Sequence, residues 1–189
     1  MKKTRRFVAL LLAAVLALAL FTACCAAQPT IGEQYEKWFV EQLNSKLPEG
    51  KTVQKVDVKH SEMMAALAKI DKDGKFTAGD GWDEGEQGIG PWYWIILSDP
   101  HAWIPGVSEA KAVALTPENL TQYGPVYFID EQQLYRIDEY DIVTRVMDGK
   151  TYAAVYVHLV KEKFLNKKAD LEKEVAQRNQ KIQIGRAHV

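Results

Sequence analysis

The stretch YDIVTRVMDGKTYAAVYVHLV, residues 140–160, decides the fold of this chain. Asp148 and Gly149 sit between two runs of β-branched and aromatic residues. That is a strong signal for a two-residue hairpin, whose central positions both need positive φ. The spacing predicts one strand over 140–147 and a second over 150–160. In the second, Tyr152, Val155, Val157 and Leu159 mix alternation with a continuous apolar run, which predicts a central strand covered on both faces.

Upstream, PWYWIIL (91–97) is a further aromatic and β-branched strand, with Trp92 and Trp94 on one face and Tyr93 on the other. Val53, Val56 and Val58 suggest another strand, as do 111–115 and 126–129. Thr30 and Glu33 have capping-box spacing. Ile31, Tyr35, Trp38, Phe39, Leu43 and Leu47 then follow at helical spacing until Pro48 and Gly50 end the run. Residues 61–70 fit either a short helix or the first arm of a hairpin, and Thr116, Pro117 and Glu118 open a short helix. Beyond Val160 the period lengthens to that of a helix reaching about Gln183, with Phe164, Leu171, Val175 and Ile182 on one face and Lys168 and Arg178 interrupting it. The expected fold is one α+β domain over 31–183: a leading helix, an antiparallel sheet with a C-terminal hairpin (about 140–160), and a long trailing helix that projects.

Both cysteines, Cys24 and Cys25, lie side by side near the start of the chain. Neighbouring residues rarely allow the Cα separation of a disulfide and close no loop, so the pair is not a staple. Lys2, Lys3, Arg5 and Arg6 precede an uncharged run from Phe7 to Ala27, the charged and apolar regions of a secretory signal. Phe21, Thr22, Ala23 and Cys24 resemble the lipobox of bacterial lipoproteins, with Phe21 where that pattern usually has Leu. The resemblance implies a signal peptide over 1–23, a diacylglycerol thioether on Cys24 and a tether over 24–30. Two other readings remain open: ordinary cleavage near Ala26 and Ala27, or an uncleaved segment just long enough to span a bilayer. All three place the domain outside the cytoplasmic membrane, at its outer face or in the cell envelope.

The last six residues, 184–189, match a translation of ATC GGA AGA GCA CAC GTC, which resembles the start of a sequencing adapter; they are expected to be an artefact, with the natural sequence differing beyond Gln183, and a genuine short tail is the alternative. Loss of the four basic signal residues takes the formal charge from −1 to −5, which argues against a nucleic-acid partner. An apolar content of 47% with five Trp argues against disorder.

Two stretches carry candidate chemistry. Asp71, Asp73, Gly74 and Asp80 have the acid-glycine-acid pattern of a Ca²⁺ loop and fall on the third, fifth, sixth and twelfth EF-hand positions. Lys69 occupies the first position and cannot ligate, and a turn between Ile70 and Phe76 explains the same residues without metal. The stretch GDGWDEGEQGIG (79–90) reads as a glycine-rich acidic loop running into the aromatic strand. Trp82, Trp92 and Trp103 there offer flat rings for stacking on a sugar, with Asp83 and Glu84 to accept hydroxyl hydrogen bonds; core packing is the competing use of Trp92.

No nucleophile elbow, zincin motif or phosphate-binding glycine loop occurs, and His60, His101 and His158 are scattered singly. The expectation is therefore a lipid-anchored protein that binds or scaffolds an envelope polysaccharide or protein. A carbohydrate-binding surface domain using the Trp82 loop is the first alternative and an envelope hydrolase the second. No catalytic residue and no cofactor is assigned, apart from the Ca²⁺ reading.

Overall fold

The computed structural model describes residues 28–124, 129–130, 133–165 and 167. The signal region, Cys24, most of the tether and of the strand expected at 126–129, most of the trailing helix and the 184–189 tail lie outside the described residues.

The described chain is of mixed α+β class, built on one large sheet with a helix on each face. Strands β1 (Gln54–Lys55), β2 (Lys75–Thr77), β3 (Trp82–Gln87), β4 (Gly90–Ile96), β5 (Ser98–Asp99), β6 (Glu109–Ala112), β7 (Ile129–Asp130), β8 (Gln133–Met147) and β9 (Lys150–Lys161) fall into two groups. The large sheet runs β1-β8-β9-β4-β3, with β7 paired on β8, and a small antiparallel sheet runs β2-β6-β5. β1 is parallel to β8; the other neighbours are antiparallel.

β8 and β9 pair from Tyr135↔Lys161 to Met147↔Lys150, across a turn in which Asp148 and Gly149 have φ of 49° and 73°. The positive values at both central positions are those of a type I′ turn, whose twist matches the strands it joins. β9 lies in the middle of the sheet, and every residue from Tyr152 to Val160 is buried.

Its two faces feed two cores. Tyr152, Ala154 and Tyr156 join Trp92, Trp94 and Ile96 of β4 in one, closed by helix α2 (His60–Ala68) through Met63, Ala66 and Leu67, and by the small sheet through Phe76, Ala110 and Ala112. Ala153, Val155, Val157 and Leu159 face the other, closed by helix α1 (Ile31–Asn44) through Tyr35, Phe39 and Leu43. The i, i+4, i+8 spacing of those three residues stacks them on one helical stripe. Gly32 lets α1 approach β8, since a Cβ there would lie 3.0 Å from Thr144 Cγ2. Tyr140 donates its hydroxyl to Glu36 at 3.1 Å, and burial with the Glu36 charge pushes the phenol up to about 12. At the far end of α2, the Arg145 guanidinium donates to the Leu67 carbonyl at 2.8 Å, adding a side-chain donor to a carbonyl that already accepts from the backbone N–H of Ile70.

Three expectations change. Residues 79–90 are not a long loop: a 3-10 turn over Ala78–Asp80 leads through Gly81 into Trp82–Gln87, a strand paired residue for residue with β4, and a tight turn follows to Gly90. The ambiguous 61–70 segment resolves as a helix over His60–Ala68, with Met63, Ala66 and Leu67 facing the core and Ile70, also buried, just beyond its end. The strand expected over 53–58 shrinks to Gln54–Lys55, because Asp57 already accepts the turn hydrogen bond from His60 N that leads into α2.

Candidate functional site

The β3–β4 hairpin sorts its side chains by pairing. Glu84↔Tyr93 and Glu86↔Pro91 share the face toward α1, while Asp83↔Trp94 and Gly85↔Trp92 share the other; Trp82, paired with Ile95 at the start of β3, packs against the core on the α2 side. On the α1 side lies a cavity of about 1020 Å³. Its floor is Val155, Val157 and Leu159 of β9 with Tyr35 and Phe39 of α1; Trp82, Tyr93, Trp103, Tyr123 and Tyr135 surround them. Volume and lining are those of a small-molecule site, apolar with few polar groups.

Burial holds the floor neutral. Tyr35 is fully buried and donates its hydroxyl to the Tyr123 carbonyl at 2.7 Å, and desolvation raises its pKa far above the usual phenol value. Trp103 is 48% exposed and stacks on His101, with ring centroids 6.1 Å apart and planes within 12°. It forms an outer rim that a second flat group can reach. The fixed charges of the described wall are the carboxylates of Glu84 and Glu86; no Lys or Arg lines it among the described residues.

Of the residues singled out from sequence, Trp82, Glu84 and Trp103 come together around this cavity. Trp92 borders it as part of β4, but its ring packs in the opposite core against Tyr156, centroids 6.1 Å apart, over Gly85, where a Cβ would meet the indole at 2.8 Å. Asp83 lies on that opposite face too, 4.0 Å from the Lys59 ammonium. Lys59 also stands 4.3 Å above the Trp92 ring centroid. Sequence reading missed Tyr35, Phe39, Tyr123 and Glu86; the signal available was the Trp82-x-Glu84-x-Glu86 alternation, which is a strand period.

Asp71, Asp73 and Asp80 sit on either side of β2. Asp71 Oδ1 accepts the backbone N–H groups of Asp73 and Lys75 at 2.9 and 2.8 Å, the geometry of an Asx turn, and Asp80 is paired with Lys69 at 2.9 Å. The cation that fills the first EF-hand position therefore lies against the acid of the twelfth.

Two histidine–carboxylate pairs occupy the face toward α2. His60 Nδ1 lies 2.8 Å from Asp141 Oδ2, tying the start of α2 to a fully buried carboxylate on β8. His158 Nδ1 lies 2.7 Å from Asp138 Oδ1, and its Nε2 lies 3.0 Å from the Gln87 carbonyl. Asp138 is the extra residue of a β-bulge, since Ile137 faces Leu159 and Glu139 already faces His158. Burial pulls the His158 pKa down, but the Asp138 hydrogen bond and charge, with the Gln87 carbonyl and Glu139, outweigh it and the net shift is upward. Asp138, Glu139 and His158 bring ligand atoms within 4.8 Å of one another, a donor set a divalent cation accepts. With both ring nitrogens engaged, the arrangement is that of a buried imidazolium between two acceptors.

No protein-family profile matches the chain, and no solved structure matches it.

Proposed function

We propose that this chain is a lipoprotein of the cell envelope, tethered to the outer face of the cytoplasmic membrane through a diacylglycerol on Cys24, whose α+β domain binds a ligand in the cavity beside β3 and β4. The observation that carries the binding role is the cavity itself: aromatic side chains from α1, β3, β4 and two loops converge on one apolar floor. It is open to solvent on one side, and an open apolar cleft with a few polar groups is the usual form of a small-molecule site. The reading keeps the expected helix after residue 160 as an arm for a protein partner.

Trp82 and Trp103 flank the cavity, so ligand entry is read directly from tryptophan emission. The test is a titration with soluble envelope extracts fractionated by polarity: a saturable emission change that Trp103→Ala removes supports the role, and no change with any fraction sinks it. Anchoring is tested by metabolic labelling with an alkyne fatty acid. Wild type and Cys25→Ala should carry the label and Cys24→Ala should not; two acyl chains anchor stably where one does not, so membrane retention should be lost with Cys24. Label persisting in Cys24→Ala refutes the assignment.

Carbohydrate binding is the second reading, favoured by the exposed Trp103 ring on the same rim as Glu84 and Glu86. It requires emission changes with intact cell-wall polysaccharide, which a small apolar ligand would not produce.

A further inference from the structure

We infer that the loop tip Trp103–Gly106 is a contact surface for a lipid bilayer, the membrane to which the chain is tethered. The inference rests on the reading of the chain as membrane-anchored and adds which surface of the domain meets the lipid.

The tip is free of fixed charge. Residues 100–108, PHAWIPGVS, carry no carboxylate and no Lys or Arg, and His101 is their one titratable side chain. Trp103, Ile104, Pro105 and Gly106 are exposed in succession, Trp103 at 48% and Ile104 at 37%. Two successive turns shape them: the Ile104 N–H donates to the His101 carbonyl at 3.1 Å, and the Val107 N–H to the Ile104 carbonyl at 3.2 Å. Ala102 is buried and Val107 packs on the α2-side core, so the tip is held at both ends. Charges begin only at its base, where they are matched. Asp99 stands opposite Lys111 across β5 and β6, and Glu109 is paired with Lys75 at 2.7 Å. Such a tip enters the headgroup layer without stripping water from a lone ion. Indole, with an apolar body and a polar N–H, is a side chain enriched at that depth.

The path of the chain says what covers the tip. Gly32, in the first turn of α1, packs over Thr144 of β8. Thr144 pairs with Ala153 of β9, whose carbonyl accepts the Leu97 N–H immediately before β5. The start of α1 and the departure of the tip loop therefore lie at one level of the sheet, toward its β8–β9 turn. Val146, 69% exposed, projects from β8 on the face of Thr144 and closer still to that turn. Cys24 and Ile31 are seven residues apart, a reach of at most about 25 Å of extended chain. A diacylglycerol on Cys24 thus keeps this end of the domain within reach of the bilayer, where a weak apolar contact gains from the tether. His101, Trp103 and Pro105 also line the cavity, so the contact sets the cavity beside lipid.

The experiment reconstitutes the full chain, purified from bacterial membranes, into phosphatidylcholine vesicles whose acyl chains are brominated either near the headgroup or near their ends. Bromine quenches tryptophan at contact. Part of the emission should be quenched, more by the shallow label than by the deep one. Trp103→Phe should lose that quenched component, and Ile104→Ser, which keeps the indole, should weaken it. Both side chains are exposed, so each variant should keep the wild-type melting temperature. Quenching that survives Trp103→Phe in full, or that Ile104→Ser leaves untouched, overturns the assignment of the tip. So does vesicle-bound chain with no quenching at either depth, and in each of these cases the anchor reading stands. Chain that does not float with the vesicles overturns the anchor reading and this inference with it.

Discussion

His158 stands between two acceptors, the Asp138 carboxylate and the Gln87 carbonyl, and an imidazole can donate to both only when protonated. Its pKa is raised in the folded state, so the stabilisation is fully present below the unfolded value of about 6.5 and is lost as pH rises through the folded one. His158→Gln should therefore lower the melting temperature more at about pH 5.5 than at about pH 9. A deficit that is constant with pH would mean that the ring is neutral. The apolar run around His158 marks it in sequence as a structural histidine with hydrogen bonds. Its partners were not legible, because Asp138 reaches it only through a bulge and the Gln87 carbonyl, 71 residues away, only through the folding of the β3–β4 hairpin against β9. Glycine misleads at the same scale: Gly85 and Gly90 look like loop flexibility but mark close approach, to the Trp92 indole and to the Leu159 carbonyl oxygen.

Elements set by local chemistry were readable, and those set by neighbours were not. Helix α1 follows from the spacing of Tyr35, Phe39 and Leu43, and the β8–β9 turn from Asp148 and Gly149. A side chain at Gly149 would enter open space, but the backbone there, at φ 73°, resists any Cβ, so strain rather than contact sets the cost of replacement. Gly149→Val should cost about 1 to 3 kcal/mol, read from the denaturant midpoint at constant slope. No shift would show that the turn has rebuilt itself around the valine. β3 was hard to read because its six residues include three acids and a glycine, and beyond Trp82 and the 82/84/86 alternation no propensity favours a strand there. What makes it one is the ladder offered by β4, a tertiary cause.

At the scale of the whole molecule, the α+β class was legible, while the cavity was not: its walls come from α1, β3, β4, β9 and two loops, brought together only by folding. The same sheet also couples the two cores. Tyr156 and Val157 are neighbours in β9, are both essentially buried, and belong to opposite cores. Loss of packing on one side should therefore be felt on the other. Phe39→Ala beneath α1 should cost about 3 to 5 kcal/mol and Leu67→Ala beneath α2 about 2 to 5 kcal/mol. In each variant, tryptophan emission and far-ultraviolet circular dichroism should lose structure at the same temperature. Separate transitions would mean that the two sides fold as independent units.

Among the described residues β3 ends the large sheet, and its outer backbone groups face no further strand of that sheet. An unpaired strand edge is a template on which another copy of a chain can add its own strand. Asp83 projects to one face of β3 and Glu84 and Glu86 to the other, so two copies meeting edge to edge would confront like charges on both sides. Two of the acids, Glu84 and Glu86, also border the cavity, so a substitution made there to probe binding should be checked for self-association as well.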